Sequence, residues 1–434
     1  MKDPTDQRSP SEPRLKRLVK AAREARERHK DRHRPSGFGF AIADRIAYVD
    51  AAVWDRLTAR ASIFLRRPYL GALEAAGPEN MRGRYAVIFD GSAPVAAVAA
   101  QIVELSASRL ALQKKAPDLS SIADPFERAV RKVAGKVARK VRSTALEGIE
   151  AKVLVCGNPL SWGQHGVAFA ADVDPKRVWP GVAEALYRIR RAEKLEGQAD
   201  FVVVKDLPAG DAGAEALRTF SFRPVETDPD MVLEIHRSWK RYEDYLASLQ
   251  SKYRRTAVKI DSDFAEAGFR LAPLSGLSKH SAKLHELYLQ VHGEARVRLT
   301  TLRPELLPAL ETACGADFRC TGAFRGEELV GFITTLHDGE TAVGYYIGFD
   351  RAANAEAPIY FRLLQAVIGD AIELGCSRLS FGRTALEPKA RLGAKPVPLA
   401  VWIRHRVPAM NWVLRRLLRS VHHDEAPERN PFKA

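Results

Sequence analysis

A chain of 434 residues with ordinary apolar content is long enough for two or three cored domains. Its formal charge of +15 points to an acidic partner such as nucleic acid, anionic lipid or a phosphate-bearing co-substrate. Four cysteines, with only Cys314 and Cys320 close together, exclude a zinc-ligand pattern and read as reduced, mostly buried thiols. No window holds the ~18 uninterrupted apolar residues of a membrane span. The opening MKDPTDQRSPSEPRLKR lacks the apolar core of a signal peptide, so a cytoplasmic protein is expected.

Residues 1–39 read as a basic, partly disordered extension, in which Leu15, Leu18, Val19 and Ala22 recur at helical spacing among basic residues over 14–34. A helix–turn–helix broken at Pro68 follows over 48–77. Residues 84–105 form a hairpin signal around Asp90-Gly91. At 124–143 the apolar residues Phe126, Val130, Val133, Val137 and Val141 step by three or four, giving one face of a basic helix inserted in the first domain. KVLVCG and GVAFAADV read as short strands. Residues 180–197 read as a helix with proline at its start and glycine beyond its end, and ADFVVVKDL as a buried strand. Two more short strands fall in 220–235.

The order then repeats. Residues 238–268 are helical, as are KHSAKLHELYLQVHG and RPELLPALETAC. Residues 317–350 are three strands joined at Arg325-Gly326 and Asp338-Gly339. A helix over 358–375 precedes the strands SRLSFG and VPLAVWIRH, and 407–421 forms a basic amphipathic helix. The domains expected are 40–235 and 236–406, with 407–434 as a basic helix and tail. Each reads as helices, an antiparallel meander, a long helix and closing strands, an α+β arrangement used twice.

Several residues invite a chemical reading. Gly382 and Arg383 end a buried strand and Lys389 follows six residues after Arg383. A strand end is where mixed sheets place ligands, and arginine and lysine suit a carboxylate or phosphate, so this is an anion-holding corner or a pair of surface caps. His292 at a helix end is a candidate proton acceptor from an amine, or a helix cap. Lys252 and Arg254 belong to a basic cluster late in a helix, either a rim steering an anionic substrate or a complement to the helix dipole. Tyr345 and Tyr346 lie on a central strand, where alternation points them to opposite sides.

The stretch SWKRYEDYLASLQSKYRR, with GYYIGF, PIYFRLLQAVIGDAIELGCSRLSFGR and KARLGAKP, resembles the GNAT acyltransferases, in particular tandem GNAT proteins of the Fem-type peptidoglycan aminoacyltransferase group. VCGNPLSWGQHG resembles a glycine-bearing turn of such proteins. The likeness spans about residues 40–406. It implies a mixed α/β fold of two GNAT-like domains, each a mostly antiparallel central sheet flanked by helices, with the second catalytic. It implies N-acyl transfer from an acyl-CoA or acyl carrier thioester to a small-molecule or lipid amine, without a metal. Tyr346 would be the catalytic hydroxyl, with Tyr360 as a spare. The family's phosphate-gripping turn aligns with Arg351-Ala-Ala-Asn354-Ala-Glu356. There Asn354 could stand in a left-handed backbone where glycine is usual, while Glu356 brings a carboxylate to the phosphate position.

Three basic helices without an aromatic stacking platform rank an anionic membrane surface above RNA as a partner, which gives a location on the inner face of the membrane. The Fem coiled-coil arm is missing, which demotes an aminoacyl-tRNA donor to an alternative. A non-catalytic double-GNAT scaffold is the other.

Overall fold

The computed structural model describes residues 23, 34–106, 150–197, 199–293, 299–407, 410–411, 427 and 429–433. The basic stretches read at 14–34, 124–143 and 407–421 lie almost wholly outside the described residues.

The first half runs β1 (Gly39–Ala43), α1 (Ala51–Thr58), α2 (Arg67–Ala76), β2 (Met81–Asp90), β3 (Ala93–Ser106), β4 (Glu150–Cys156) and β5 (Val167–Phe169). It continues with α3 (Pro175–Ala192), β6 (Ala199–Pro208), α4 (Gly213–Thr219), β7 (Arg223–Glu226) and β8 (Asp230–Glu234). Asp50 caps α1 by accepting the Val53 N–H at 2.9 Å, and Pro68 stands in the first turn of α2, where a missing N–H costs nothing. The helix read at 180–197 is α3 and starts earlier. Pro175 is its first residue, Asp174 caps it, and Pro180 lies inside it.

The second half runs α5 (Tyr242–Ser248), α6 (Ser251–Glu266), β9 (Phe269–Pro273), α7 (Ser281–His292), α8 (Leu306–Cys314), β10 (Phe318–Arg325), β11 (Glu328–Asp338) and β12 (Thr341–Phe349). Then come α9 (Arg351–Glu356), α10 (Ile359–Glu373), β13 (Arg378–Ser380), α11 (Leu386–Arg391), β14 (Lys395–Val397) and β15 (Leu399–His405). Strands β1 and β9 were not read from the sequence, because each is a short edge strand.

Two mostly antiparallel sheets result. The first has the order β1-β2-β3-β4-β6-β15-β7 with β5 also on β3, and the second β14-β8-β13-β12-β11-β10-β9. The sheets do not follow the boundary read at 235/236. β8 pairs with β13 and β14 of the second sheet, while β15 inserts between β6 and β7 of the first. The two halves therefore exchange strands, and alternation alone cannot say which sheet a strand joins. One apolar cluster spans both halves, joining Phe64, Tyr69 and Leu70 to Leu284, Leu307 and Tyr345.

Candidate active site between the two halves

The centre of the second sheet carries a bulge. Across β11 and β12, Ile333 faces Ile347 and Thr335 faces Gly344, so Thr334 stands opposite both Tyr345 and Tyr346. Thr334 Oγ1 accepts the Tyr346 N–H at 2.9 Å and donates to the Tyr346 carbonyl at 3.3 Å. The expectation that the two tyrosines face opposite sides is corrected here. Their ring centroids lie 4.5 Å apart in one aromatic group, because a bulge suspends the two-residue alternation.

Residues of the first half meet them. The Tyr345 and Tyr69 hydroxyls are 2.7 Å apart, Asn158 Nδ2 donates to the Tyr69 hydroxyl at 2.7 Å, and the Tyr346 hydroxyl donates to the Leu160 carbonyl at 3.3 Å. Burial pushes all three phenols well above the ordinary tyrosine range, so they stay protonated.

The loop 157–166, read as a glycine-bearing turn, reaches across to β13. β12 and β13 pair in parallel at three positions, the last being Val343 with Ser380. Just beyond, Trp162 Nε1 donates to Ser380 Oγ at 2.5 Å, and the Trp162 ring lies against Gly382. Gly382 has φ 78°, and a Cβ there would lie 2.9 Å from the indole, so both backbone and space require glycine. Ser380 Oγ lies 2.7 and 2.8 Å from the Asp230 carboxylate, which also accepts the Gly382 N–H at 3.0 Å. Lys389 Nζ donates to the Gly382 carbonyl at 3.1 Å.

Arg383 is ion-paired with Asp206 of β6, a fully buried carboxylate with φ 61°. Asp206 also pairs with Lys205 and accepts the Gly163 N–H at 3.1 Å, while Lys205 Nζ reaches the Ser161 carbonyl at 2.5 Å. Burial pushes the Asp206 carboxyl up, but Lys205 and Arg383 outweigh it and hold the group below the usual carboxylate range. Burial raises Asp230, partly offset by Ser380 and Lys389. Burial lowers Lys389 to about 7 against the opposing pull of Asp230.

The corner read as an anion-holding site or a pair of surface caps is buried in the structure. Arg383 and Lys389 are 6% and 3% exposed, and Arg383 has an internal counter-charge. Asp206 and Asp230 were missed because nothing local marks them. Apart from Lys205, which is adjacent to Asp206, their partners come from elements distant in the chain.

The other residues singled out fall elsewhere. His292 stacks on Tyr288 at 4.8 Å, and Tyr288 meets the Tyr346 ring edge-on at 5.9 Å, so His292 joins the tyrosine group through one ring. Lys252 and Arg254 are exposed on α6, apart from this group. Asn354 is helical within α9, not left-handed, and its Oδ1 accepts the Tyr360 N–H at 2.9 Å at the start of α10. Asp350 Oδ1 accepts the Ala353 N–H at 2.8 Å, and Gln290 Oε1 accepts the Arg351 N–H at 3.0 Å. Glu356 pairs with Arg325. The Arg351, Ala353 and Tyr360 N–H groups of this turn are thus bonded to the protein's own side chains, and those of Asn354, Ala357 and Ile359 to backbone carbonyls. Among the described residues, no group of three or more His, Cys, Asp or Glu could hold a metal ion.

Residues 240–390 match the family described as acetyltransferase (GNAT) domain. Among solved structures, FemX superposes with a TM-score of 0.51 at 10% identity, covering 87% of this chain and 99% of that one. A tandem GNAT protein from the clavulanic acid biosynthesis pathway gives 0.47 at 13% identity, covering 86% and 99%. A GCN5-related N-acetyltransferase from Sphaerobacter thermophilus gives 0.39 at 12%, covering 85% and 96%. A comparison with curated proteins returns no significant match. Residues 240–390 thus match a GNAT acetyltransferase domain, and the likeness to FemX shows that the chain as a whole shares the fold of that protein.

Proposed function

We propose that the chain moves an acyl group from a thioester or activated ester donor to an amine, where the 157–166 loop closes over β12 and β13. The observation that carries this reading is Lys389, an amine buried inside the acetyltransferase domain whose proton affinity burial has lowered to about 7. Such an amine is neutral in a large fraction of molecules near neutral pH and can take a proton.

The chemistry follows from these groups. The acceptor nitrogen attacks the acyl carbon and a C–N bond forms. The amine proton passes to neutral Lys389, with His292 as the second proposed acceptor. The C–S or C–O bond to the donor breaks, and the leaving group takes up a proton. The Tyr346 hydroxyl exchanges its 3.3 Å bond to the Leu160 carbonyl for one to the developing oxyanion, which a protonated phenol in a dry site stabilises well. Gly382 anchors Lys389 through its carbonyl and Asp230 through its N–H, and Arg383 holds the strand end through Asp206.

The donor's phosphates are not assigned to the turn over α9 and the start of α10, since Gln290 and Asp350 take the Arg351 and Ala353 N–H groups and Asn354 takes that of Tyr360. The exposed Lys252 and Arg254 are the proposed phosphate rim. This favours a donor carried on an acyl carrier, or on CoA held in another manner. The same observation supports a second reading, an aminoacyl-tRNA donor. A lipid amine drawn from an anionic membrane surface fits the basic stretches of the sequence. Among the described residues, no helix is long and apolar enough to cross a membrane.

Calorimetric titration with acetyl-CoA, a long-chain acyl-CoA and free CoA tests the donor, with Lys252→Ala/Arg254→Ala as the comparison. Saturable thioester binding weakened by that pair supports CoA on the rim. Heat from none of the three, with salt-sensitive retention of aminoacyl-tRNA on filters, supports the second reading. Neither response removes both donors.

A further inference from the structure

Helix α11 holds Lys389, yet it is six residues long and begins after Ala385, a non-glycine residue with φ 51°. So short a helix does not hold itself, because nucleation costs more than one turn of hydrogen bonds returns. Its position must come from contacts. One is the Tyr245 hydroxyl, which donates to the Leu392 carbonyl at 3.0 Å. Others are the Lys389–Gly382 bond and the burial of Ala390 and Leu392 in the core, and a further set comes from residues 429–433.

That segment lies in a built socket. Leu249 and Phe432 form an antiparallel bridge. The Gln250 N–H donates to the Pro431 carbonyl at 2.8 Å, and Gln250 Nε2 reaches the Asn430 and Phe432 carbonyls at 3.1 and 2.9 Å. The Lys433 N–H donates to the Ser248 carbonyl at 3.0 Å. The Phe432 ring lies 5.7 Å from Trp239 and 6.2 Å from Tyr245. Trp239, Tyr245 and Leu249, all from the aromatic stretch that opens the second half, are therefore the walls of this socket.

Two contacts pass from the segment to α11. Phe432 packs so closely on Gly393, φ 94°, that a Cβ there would lie 2.4 Å from the ring. Arg429 pairs with Glu387 at 3.1 Å, two residues before Lys389. Ala394 N–H closes on the Lys389 carbonyl at 3.1 Å, so the turn that Phe432 covers is the turn that ends at Lys389.

We propose that Phe432 is a positioning residue for Lys389: the docked 429–433 segment clamps both ends of α11 and keeps Lys389 sealed against Gly382. The inference rests on the proposed role of Lys389 only for its chemical meaning, and neither readout below uses a substrate.

The test uses the full chain. Hydrogen exchange is followed over 386–397 and, as a control, over 84–105. The Lys389 Nζ titration is followed by NMR in lysine-labelled protein. Phe432→Ala should speed exchange in 386–397 by about tenfold or more with 84–105 unchanged. It should also move the Lys389 midpoint upward from about 7 as water reaches the amine. Phe432→Leu should restore most of both. Unchanged exchange and an unchanged midpoint in Phe432→Ala overturn the proposal. If that variant also loses protection over 84–105, exposed Arg429→Ala replaces it, and the same two readouts decide. A normal Lys389 response together with no acyl transfer leaves this inference standing and overturns the proposed function instead.

Discussion

Asp206 of the first half and Arg383 of the second form a buried ion pair that joins the two domains at the end of β13. Breaking one side of such a pair leaves an uncompensated charge in a low-dielectric interior. Asp206→Ala should therefore cost on the order of 3–5 kcal/mol in denaturant unfolding. The double variant Asp206→Ala/Arg383→Met should lose clearly less than the sum of the single losses. Additive losses would show that the pair contributes no coupling.

Lys389 predicts a pH dependence of stability. Its folded proton affinity is depressed to about 7, below that of an exposed lysine, so between about 7 and about 10.4 the unfolded chain binds more protons than the folded one. Stability should rise with pH across that window. Lys389→Met should flatten this slope and be the more stable variant at pH 7. A slope that survives the substitution assigns it to another group.

Asp206 acts at the other end of the scale. Its carboxyl is held below the usual range, so its contribution is complete above about pH 4 and is lost as pH falls through the lower folded value. Acid unfolding of Asp206→Asn should be less steep than that of the natural chain, as read by circular dichroism against pH.

Gly382→Ala should displace the Trp162 indole, since the new Cβ would lie 2.9 Å from the ring and the φ of 78° strains any L side chain. A loss of about 1–3 kcal/mol is expected, with a change in tryptophan emission. An unshifted emission would mean that the loop 157–166 yields elsewhere.

The Tyr69–Tyr345 contact predicts an order. Tyr345→Phe removes one partner of the Tyr69 hydroxyl, which keeps Asn158, and should cost about 1 kcal/mol. Tyr69→Phe takes a partner from both the Tyr345 hydroxyl and Asn158 Nδ2 and should cost about twice as much. Thermal unfolding of the two variants checks the ranking.

Much of the second half was legible because its signals are local. Pro358 before α10, Gly375 after it, the Asp338-Gly339 turn and the alternating strands of 317–350 all act within a few residues. Arg383 and Lys389 stand out in the sequence because they follow Gly382 at a strand end. Asp206, Asp230, Trp162 and Tyr69 were not found, because each acts through a partner 150 or more residues away, and no periodicity encodes such a distance.

The sequence by itself determined the α+β class, the doubled order of elements, the charge and the likeness to GNAT acyltransferases, since periodicity, turn chemistry and motif spacing are properties of neighbouring residues. Only the tertiary structure decided that β8 and β15 trade sheets, that Tyr345 and Tyr346 share one side at a bulge, and that Asp206 occupies the corner expected for a ligand. Those outcomes depend on which surfaces meet when the apolar faces are buried together, and burial is a property of the whole fold.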